Sequence, residues 1–228
     1  MYAKCFKRVL DFLLALFAFI ILFPILLILS LVGAIVMKGN PFFTQPRPGK
    51  NERIFRLIKF RSMTCETDEN GKLLPDEKRL TGYGKFIRAT SIDELPSLLN
   101  ILRGDLSIVG PRPQLVRDMV FMTEEQRRRH TVAPGLTGLA QCSGRNAMSW
   151  EKKFEYDLEY IRKITFFGDA KIVFRTVGKV FRRDGINEEG MATAEDLGDY
   201  LLRQGRVTRE EYDRRQEEAK ALLAAPKK

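Results

Sequence analysis

The sequence predicts a predominantly helical α+β fold with a membrane-embedded N-terminal helix, and three observations carry that expectation. From Phe12 to Met37 the chain holds no charged residue, and its 26 residues would reach roughly 39 Å as a straight helix, more than the roughly 30 Å of a hydrocarbon core. Farther on, apolar residues recur at helical spacing, as at Leu95, Leu98, Leu99 and Leu102. Strand-like alternation is confined to a short stretch, Arg53 to Met63.

The apolar run is flanked by Lys4, Lys7 and Arg8 before it and by Lys38, Arg47, Lys50 and Arg53 after it. Positive residues beside membrane segments prefer the cytoplasmic side, so two basic flanks conflict with a single crossing. Pro24, at the middle of the run, removes a helical hydrogen bond and should kink or break the helix. Entry, reversal at Pro24 and return would put both flanks on one side; a tilted span with a kink is the alternative. These residues leave both open. The run is too long for a signal-peptide core.

Pro41 to Gly49 reads as a proline-rich exit turn, followed by the Arg53–Met63 strand, on which Lys59 and Arg61 share a face. Residues 64–80 are polar, with Gly71 and Pro75, and read as a loop. The leucine-patterned helix should end near Gly104. Trp150 to about Thr165 reads as helix, and so does Asp169 to Arg183, with Val173 and Val177 on an apolar stripe and Lys171, Arg175 and Lys179 on a basic one. That second pattern suits a helix on an anionic membrane surface or one packed on the core. The tail to Ala225 is charged and reads as a helical hairpin broken at Gly205, with interaction or dimerisation as candidate roles.

The formal charge of +10 on 228 residues implies an anionic partner: nucleic acid, anionic lipid or phosphorylated substrate. Three widely spaced cysteines, Cys5, Cys65 and Cys142, make neither a disulfide framework nor a zinc pattern. One histidine, His130, excludes His-based metal clusters and is expected to be exposed or hydrogen-bonded.

The segment Thr90 to Pro96 holds most of the chemical content. Ser91 to Glu94 has the spacing of a capping box, but Pro96 would then clash inside the helix. If Asp93 caps instead, Pro96 falls in the first turn and the helix dipole favours an ionised Asp93. An ionised carboxylate can attack phosphorus or bind Mg²⁺. The cations Lys59, Arg61, Arg88, Arg112 and Arg145 are candidate phosphate ligands, Arg112 held stiffly between Pro111 and Pro113. Thr81 to Lys85 (TGYGK) is a weak echo of a phosphate loop.

With those residues in view, the chain resembles the small monotopic phosphoglycosyl transferases, the bacterial sugar transferase family. The resemblance runs from about Lys4 to Asp184 through KRVLDFLLAL, KFRSM (Lys59 to Met63), SIDELPSLLNIL (Ser91 to Leu102), GDLSIVGPRP (Gly104 to Pro113) and PGLTGLAQ (Pro134 to Gln141). It implies residues 1–40 as a re-entrant membrane helix broken at Pro24, and 41–188 as a small compact catalytic domain with interfacial amphipathic helices on the cytoplasmic face of a bacterial inner membrane. Residues 189–228 form a helical appendage outside the common core. It further implies Asp93 and Glu94 as the catalytic pair, Mg²⁺ as cofactor with Asp93 as its ligand, and Lys59, Arg61, Arg88, Arg112 and Arg145 around the substrates. Sugar-1-phosphate would pass from a UDP-sugar to polyprenyl phosphate through an aspartyl-phosphosugar, releasing UMP. In familiar members the residue before the proline is often Ser; here it is Phe23. A membrane-anchored adaptor is the competing reading. A nucleic-acid binder rests on charge alone and lacks interleaved aromatics, so no nucleic-acid partner is expected. A homodimer is left open.

Overall fold

The structure is a computed structural model that describes residues 2–144, 148–182 and 195–225. Arg145, Arg183 and the first residues of the expected appendage lie outside the described residues.

A π-helical turn, Tyr2–Phe6, leads into α1, Lys7–Val36. Helical structure continues on both sides of Pro24. Pro24 withholds only its own N–H, so the carbonyl of Ile20 loses its usual donor and the turns on either side persist. Farther along, Ser30 Oγ bonds the Leu26 carbonyl within the same helix.

One stripe of α1 packs on the rest of the protein and the remainder is bare. Ala15 and Leu26 are buried, while Phe17, Ile20, Ile21, Phe23, Ile28, Leu31 and Ile35 are exposed. In water that apolar surface would be costly, and the helix is long and apolar enough to cross a membrane; the protein is membrane-associated. The packed stripe reaches both ends of the helix. Near its start, Lys7 Nζ donates to Asp169 Oδ2 (2.6 Å) and Arg8 donates to the carbonyls of Ile101 and Leu102. Asp11, buried, accepts from Ser107 Oγ (2.6 Å). Near its end, Tyr83 Oη donates to the Leu29 carbonyl (3.0 Å), and a Cβ on Gly33 would stand 3.0 Å from that hydroxyl.

The expected exit turn is instead a strand. β1 (Phe42–Pro48) pairs antiparallel with β2 (Ile54–Phe60) in the register Gln45↔Leu57, Pro46↔Arg56, Pro48↔Ile54. On β2, Ile58 N–H and the Arg56 carbonyl both point away from β1, toward the Asn100 amide (3.0 and 2.8 Å). Positions paired with them therefore also face outward, and Pro46 and Pro48 occupy that set, where a missing N–H costs no ladder bond.

Residues 64–80 include one helical turn, α2 (Asp76–Arg79), before α3 (Gly82–Ala89). The TGYGK segment is the start of α3: Thr81 Oγ1 accepts from Gly84 N, and a Cβ on Gly84 would lie 1.9 Å from the Ser62 carbonyl oxygen. Its glycine serves close packing, so the phosphate-loop echo is corrected. After a 3-10 turn, Ile92–Ser97, α4 (Leu98–Arg103) ends at Gly104 in the left-handed region, as expected.

β3 (Ser107–Val109) and β4 (Gly135–Thr137) pair in parallel, separated in the chain by the short helices α5 (Val116–Met119) and α6 (Glu124–Arg127). α7 (Leu139–Ser143), α8 (Trp150–Arg162) and α9 (Phe166–Arg182) follow. α9 turns Ile172 into a core with Val109, Cys142 and Tyr160, and leaves Phe167, Phe174 and Val177 exposed. The core-packing reading of its amphipathic pattern holds at Ile172, while Val177 lies on the outer face.

α10 (Leu197–Arg203) and α11 (Arg209–Ala224) form the expected hairpin around Gly205, whose φ is +68. They do not stand apart from the domain: Leu197, Leu201 and Ala219 share a core with Val116, Phe121, Trp150 and Phe154. The buried Asp118 carboxylate accepts from Leu115 N and Leu197 N, and burial pushes its pKa up to about 6.

His130 departs from expectation. It is buried, neither ring nitrogen has a hydrogen-bond partner among the described residues, and Nδ1 lies 3.4 Å from Glu52 Oε1. Burial, then the charge of Arg129, lower its pKa to about 4. It follows three arginines in a short 3-10 turn that folds inward, which local composition does not reveal.

Candidate active site

The outer edge of β2 organises the site. Asn100, wholly buried, pairs with that edge through its amide, and Ser97 Oγ donates to the Ile58 carbonyl (2.7 Å). These bonds dock the 3-10 turn and α4 beside the strand that carries Lys59. The turn itself starts from Ser91, a non-glycine residue at φ 56. Such a conformation is uncommon and persists when surrounding contacts impose it. Ser91 makes no side-chain cap, so the capping box is absent; Asp93 is the second residue of the turn and does not cap it either.

Glu94 and Asp93 have opposite surroundings. Glu94 Oε1 receives Lys59 Nζ at 2.7 Å and Arg112 Nη2 at 2.9 Å. Burial would raise its pKa, but Arg112 and Lys59 together carry it below the usual carboxylate range. The Asp93 carboxylate has no hydrogen bond among the described residues. Its pKa is raised, chiefly by burial and then by the charge of Glu94, against the pull of Lys59, Arg112 and Arg88. The expected dipole stabilisation of ionised Asp93 is therefore outweighed: one 3-10 turn supplies a weak dipole, whereas an ionised neighbour adjoins it.

Arg112 is positioned through its backbone. Pro111 and Pro113 flank it and are buried. Its carbonyl accepts from Arg129 Nη2 (2.6 Å), and Arg129 forms a buried ion pair with Asp157 (2.6 Å). Just before it, a Cβ on Gly135 would stand 2.1 Å from Gly110 N, so β3 and β4 meet at a separation only glycine permits. The Arg112 side chain itself remains 45% exposed, free to meet a ligand.

Lys59, Glu94 and Arg112 line one cleft with Arg47, Leu106 and Leu136. Arg88 does not line that cleft; its Nε donates to Ser62 Oγ at 2.8 Å, and its charge acts on Asp93. Arg61 follows β2 instead of lying within it, and its Nη1 is 3.7 Å from Cys65 Sγ in the next loop. Its backbone N–H still donates to the Pro41 carbonyl (2.7 Å), but Arg61 does not line the cleft that Lys59 lines. Arg145 lies outside the described residues. Arg47 was not among the residues expected from sequence; the signal was its setting between Pro46 and Pro48, the same as that of Arg112.

The sequence profile of the bacterial sugar transferase family matches residues 2–183. The chain belongs to that family.

Among its relatives, a sugar transferase of Bacillus subtilis named EpsL is 52% identical over 83% of this chain and 94% of its own length. A UDP-glucose:undecaprenyl-phosphate glucose-1-phosphate transferase of Klebsiella pneumoniae is 39% identical over 77% of this chain, and a UDP-galactose-lipid carrier transferase of Erwinia amylovora is 36% identical over 80%. The chain spans only 40% and 42% of those two relatives. The family match ends at residue 183, so this sugar transferase carries α10 and α11 beyond it.

Proposed function

We propose that this sugar transferase moves a sugar-1-phosphate from a UDP-sugar to a polyprenyl phosphate at the cytoplasmic face of a bacterial inner membrane. The observation that carries the reading is the asymmetry of the carboxylate pair. Glu94 is held by two cations, while the Asp93 carboxylate has no hydrogen bond among the described residues and a raised pKa beside the same cations. A carboxylate free of hydrogen bonds, and more basic than usual, is the better nucleophile.

An Asp93 oxygen attacks the sugar-bearing phosphorus, the phosphorus–oxygen bond to UMP breaks, and UMP leaves with that bond's electron pair. The resulting aspartyl-phosphosugar is then attacked by an oxygen of polyprenyl phosphate, which forms the diphosphate and returns the carboxylate. Lys59 and Arg112, fixed by Glu94, are oriented toward phosphoryl oxygens. Among the described residues no cluster of three or more metal-ligating side chains exists. That set still fits Mg²⁺, which often takes one or two carboxylates and completes its shell with water and substrate phosphates. Asp93 would hold it, and when bound it would neutralise charge on the diphosphate.

The raised pKa has a kinetic consequence. The reaction needs ionised Asp93, so rate is lost as pH falls through its pKa, and that limb should lie above the roughly 3.9 of an ordinary aspartate. Glu94, lowered, stays ionised across the same range. Bound Mg²⁺ would draw that limb down, so the comparison is made on the Mg²⁺-free protein, where an Asp93 carboxyl titrating at or below the ordinary value refutes its raised basicity.

For topology, packing of α1 on the domain near both Lys7 and Gly33 supports placing both ends on one side. A helix that crossed about 30 Å of hydrocarbon would have to carry part of the domain with it. The exposed Phe167 and Phe174 on α9 support an interfacial seat for that helix. With the native cysteines replaced, single cysteines at positions 4 and 50 should both resist an impermeant reagent added to intact cells. Labelling of either refutes the re-entrant arrangement. Release of UMP from a panel of UDP-sugars with polyprenyl phosphate tests the activity and separates it from an adaptor role.

A further inference from the structure

The cleft contains a guanidinium that the carboxylate pair does not employ. Pro-Arg-Pro occurs twice in the chain, at 46–48 and 111–113, and both arginines line the same cleft. The β1–β2 register brings the first one there: Arg47 pairs with Phe55, Gln45 with Leu57 and Phe43 with Lys59. Alternation puts Arg47, Gln45 and Lys59 on one face of the sheet. Prolines on either side hold the backbone at Arg47 as they do at Arg112.

Its bonding is incomplete. Arg47 Nη2 donates to Gln45 Oε1 at 2.7 Å, while Nε is shut off from water with no partner among the described residues. Glu94 cannot serve it, since the Oε1 that faces the cations is already shared by Lys59 and Arg112. Asp118, Glu94 and Asp196 act on it only through space. Burial, and then the like charge of Arg112, bring its pKa down to about 10, so it remains a cation. A buried N–H without a partner costs stability, and so do two neighbouring guanidinium groups; an anion between them removes both penalties. Two planar forks match the oxygens of a phosphate.

We infer that Arg47 and Arg112 together form a subsite for one phosphate group, borne by a soluble diphosphate or by the lipid acceptor. The identity of those two bearers rests on the transferase reading; the anion site itself does not. The test uses the full chain in nanodiscs and compares the parent with Arg47→Gln and Arg47→Lys. Inorganic pyrophosphate, titrated by calorimetry, probes the soluble source, and polyprenyl phosphate incorporated in the nanodisc probes the lipid source. Arg47→Gln should weaken one of them about ten- to hundredfold, the range for charge-assisted hydrogen bonds, with the thermal midpoint retained. Arg47→Lys should recover part of the loss. Loss with pyrophosphate assigns the subsite to the donor, and loss with the lipid assigns it to the acceptor. Unchanged affinity for both probes in Arg47→Gln overturns the inference, as does a parent that binds neither. Should Arg47→Gln fail to fold, Arg47→Lys decides alone: it must weaken one probe, because a point charge lacks the fork. Arg47-dependent pyrophosphate binding without UMP release from any UDP-sugar would leave the anion site standing and remove the transferase reading.

Discussion

Asp93→Asn should abolish UMP release, lowering turnover about a thousandfold or more, the usual scale for loss of a covalent nucleophile. An amide oxygen is a poor nucleophile and carries no charge for Mg²⁺. Folding should be unaffected, because the Asp93 side chain makes no cap and no hydrogen bond among the described residues. Its burial even favours a neutral side chain there, since burial is the main cause of its raised pKa. Thermal unfolding at or above the parent midpoint is thus expected alongside lost activity. The covalent scheme adds a sharper requirement. Donor labelled in the sugar should leave label on the parent protein when lipid acceptor is omitted, and none on Asp93→Asn. Acyl phosphates hydrolyse readily, so the trap must be fast. A mutant that transfers sugar-phosphate at a substantial fraction of the parent rate would falsify the assignment.

Arg112→Ala should lose most activity, on the order of ten- to hundredfold, while membrane insertion and fold persist. The side chain is partly exposed and, among the described residues, bonds only Glu94. The contact that ties this segment to the buried Arg129–Asp157 pair runs through the Arg112 carbonyl, which alanine keeps. Glu94 retains Lys59, so no carboxylate is stranded. What disappears is a fork for phosphate oxygens, and a charge-assisted hydrogen bond is worth about 1.5–3 kcal/mol. Arg112→Lys should restore little, because a point charge cannot make two parallel bonds. Near-normal turnover of Arg112→Ala at saturating donor would show that Arg112 is peripheral to the reaction.

Local sequence alone determined the apolar helix, the helix that ends at Gly104 and the α8, α9 and tail helices, and it singled out Lys59, Glu94 and Arg112, which the fold brings together. These were legible because each depends on local pattern or motif: a charge-free run, a 3.6-residue period, a glycine at a helix end, an arginine between prolines. Only the tertiary structure decided the rest. A proline-rich segment reads as a turn until its partner strand shows that Pro46 and Pro48 face outward. Which of two adjacent carboxylates is held and which stays free depends on Lys59 and Arg112, 35 and 18 residues away from Glu94 in the chain. The burial of His130, the place of Arg47 in the cleft and the shared core of α10 and α11 are likewise set by contacts between distant segments. Burial and electrostatic pairing are properties of the packed chain, and neither is written in the local order of residues.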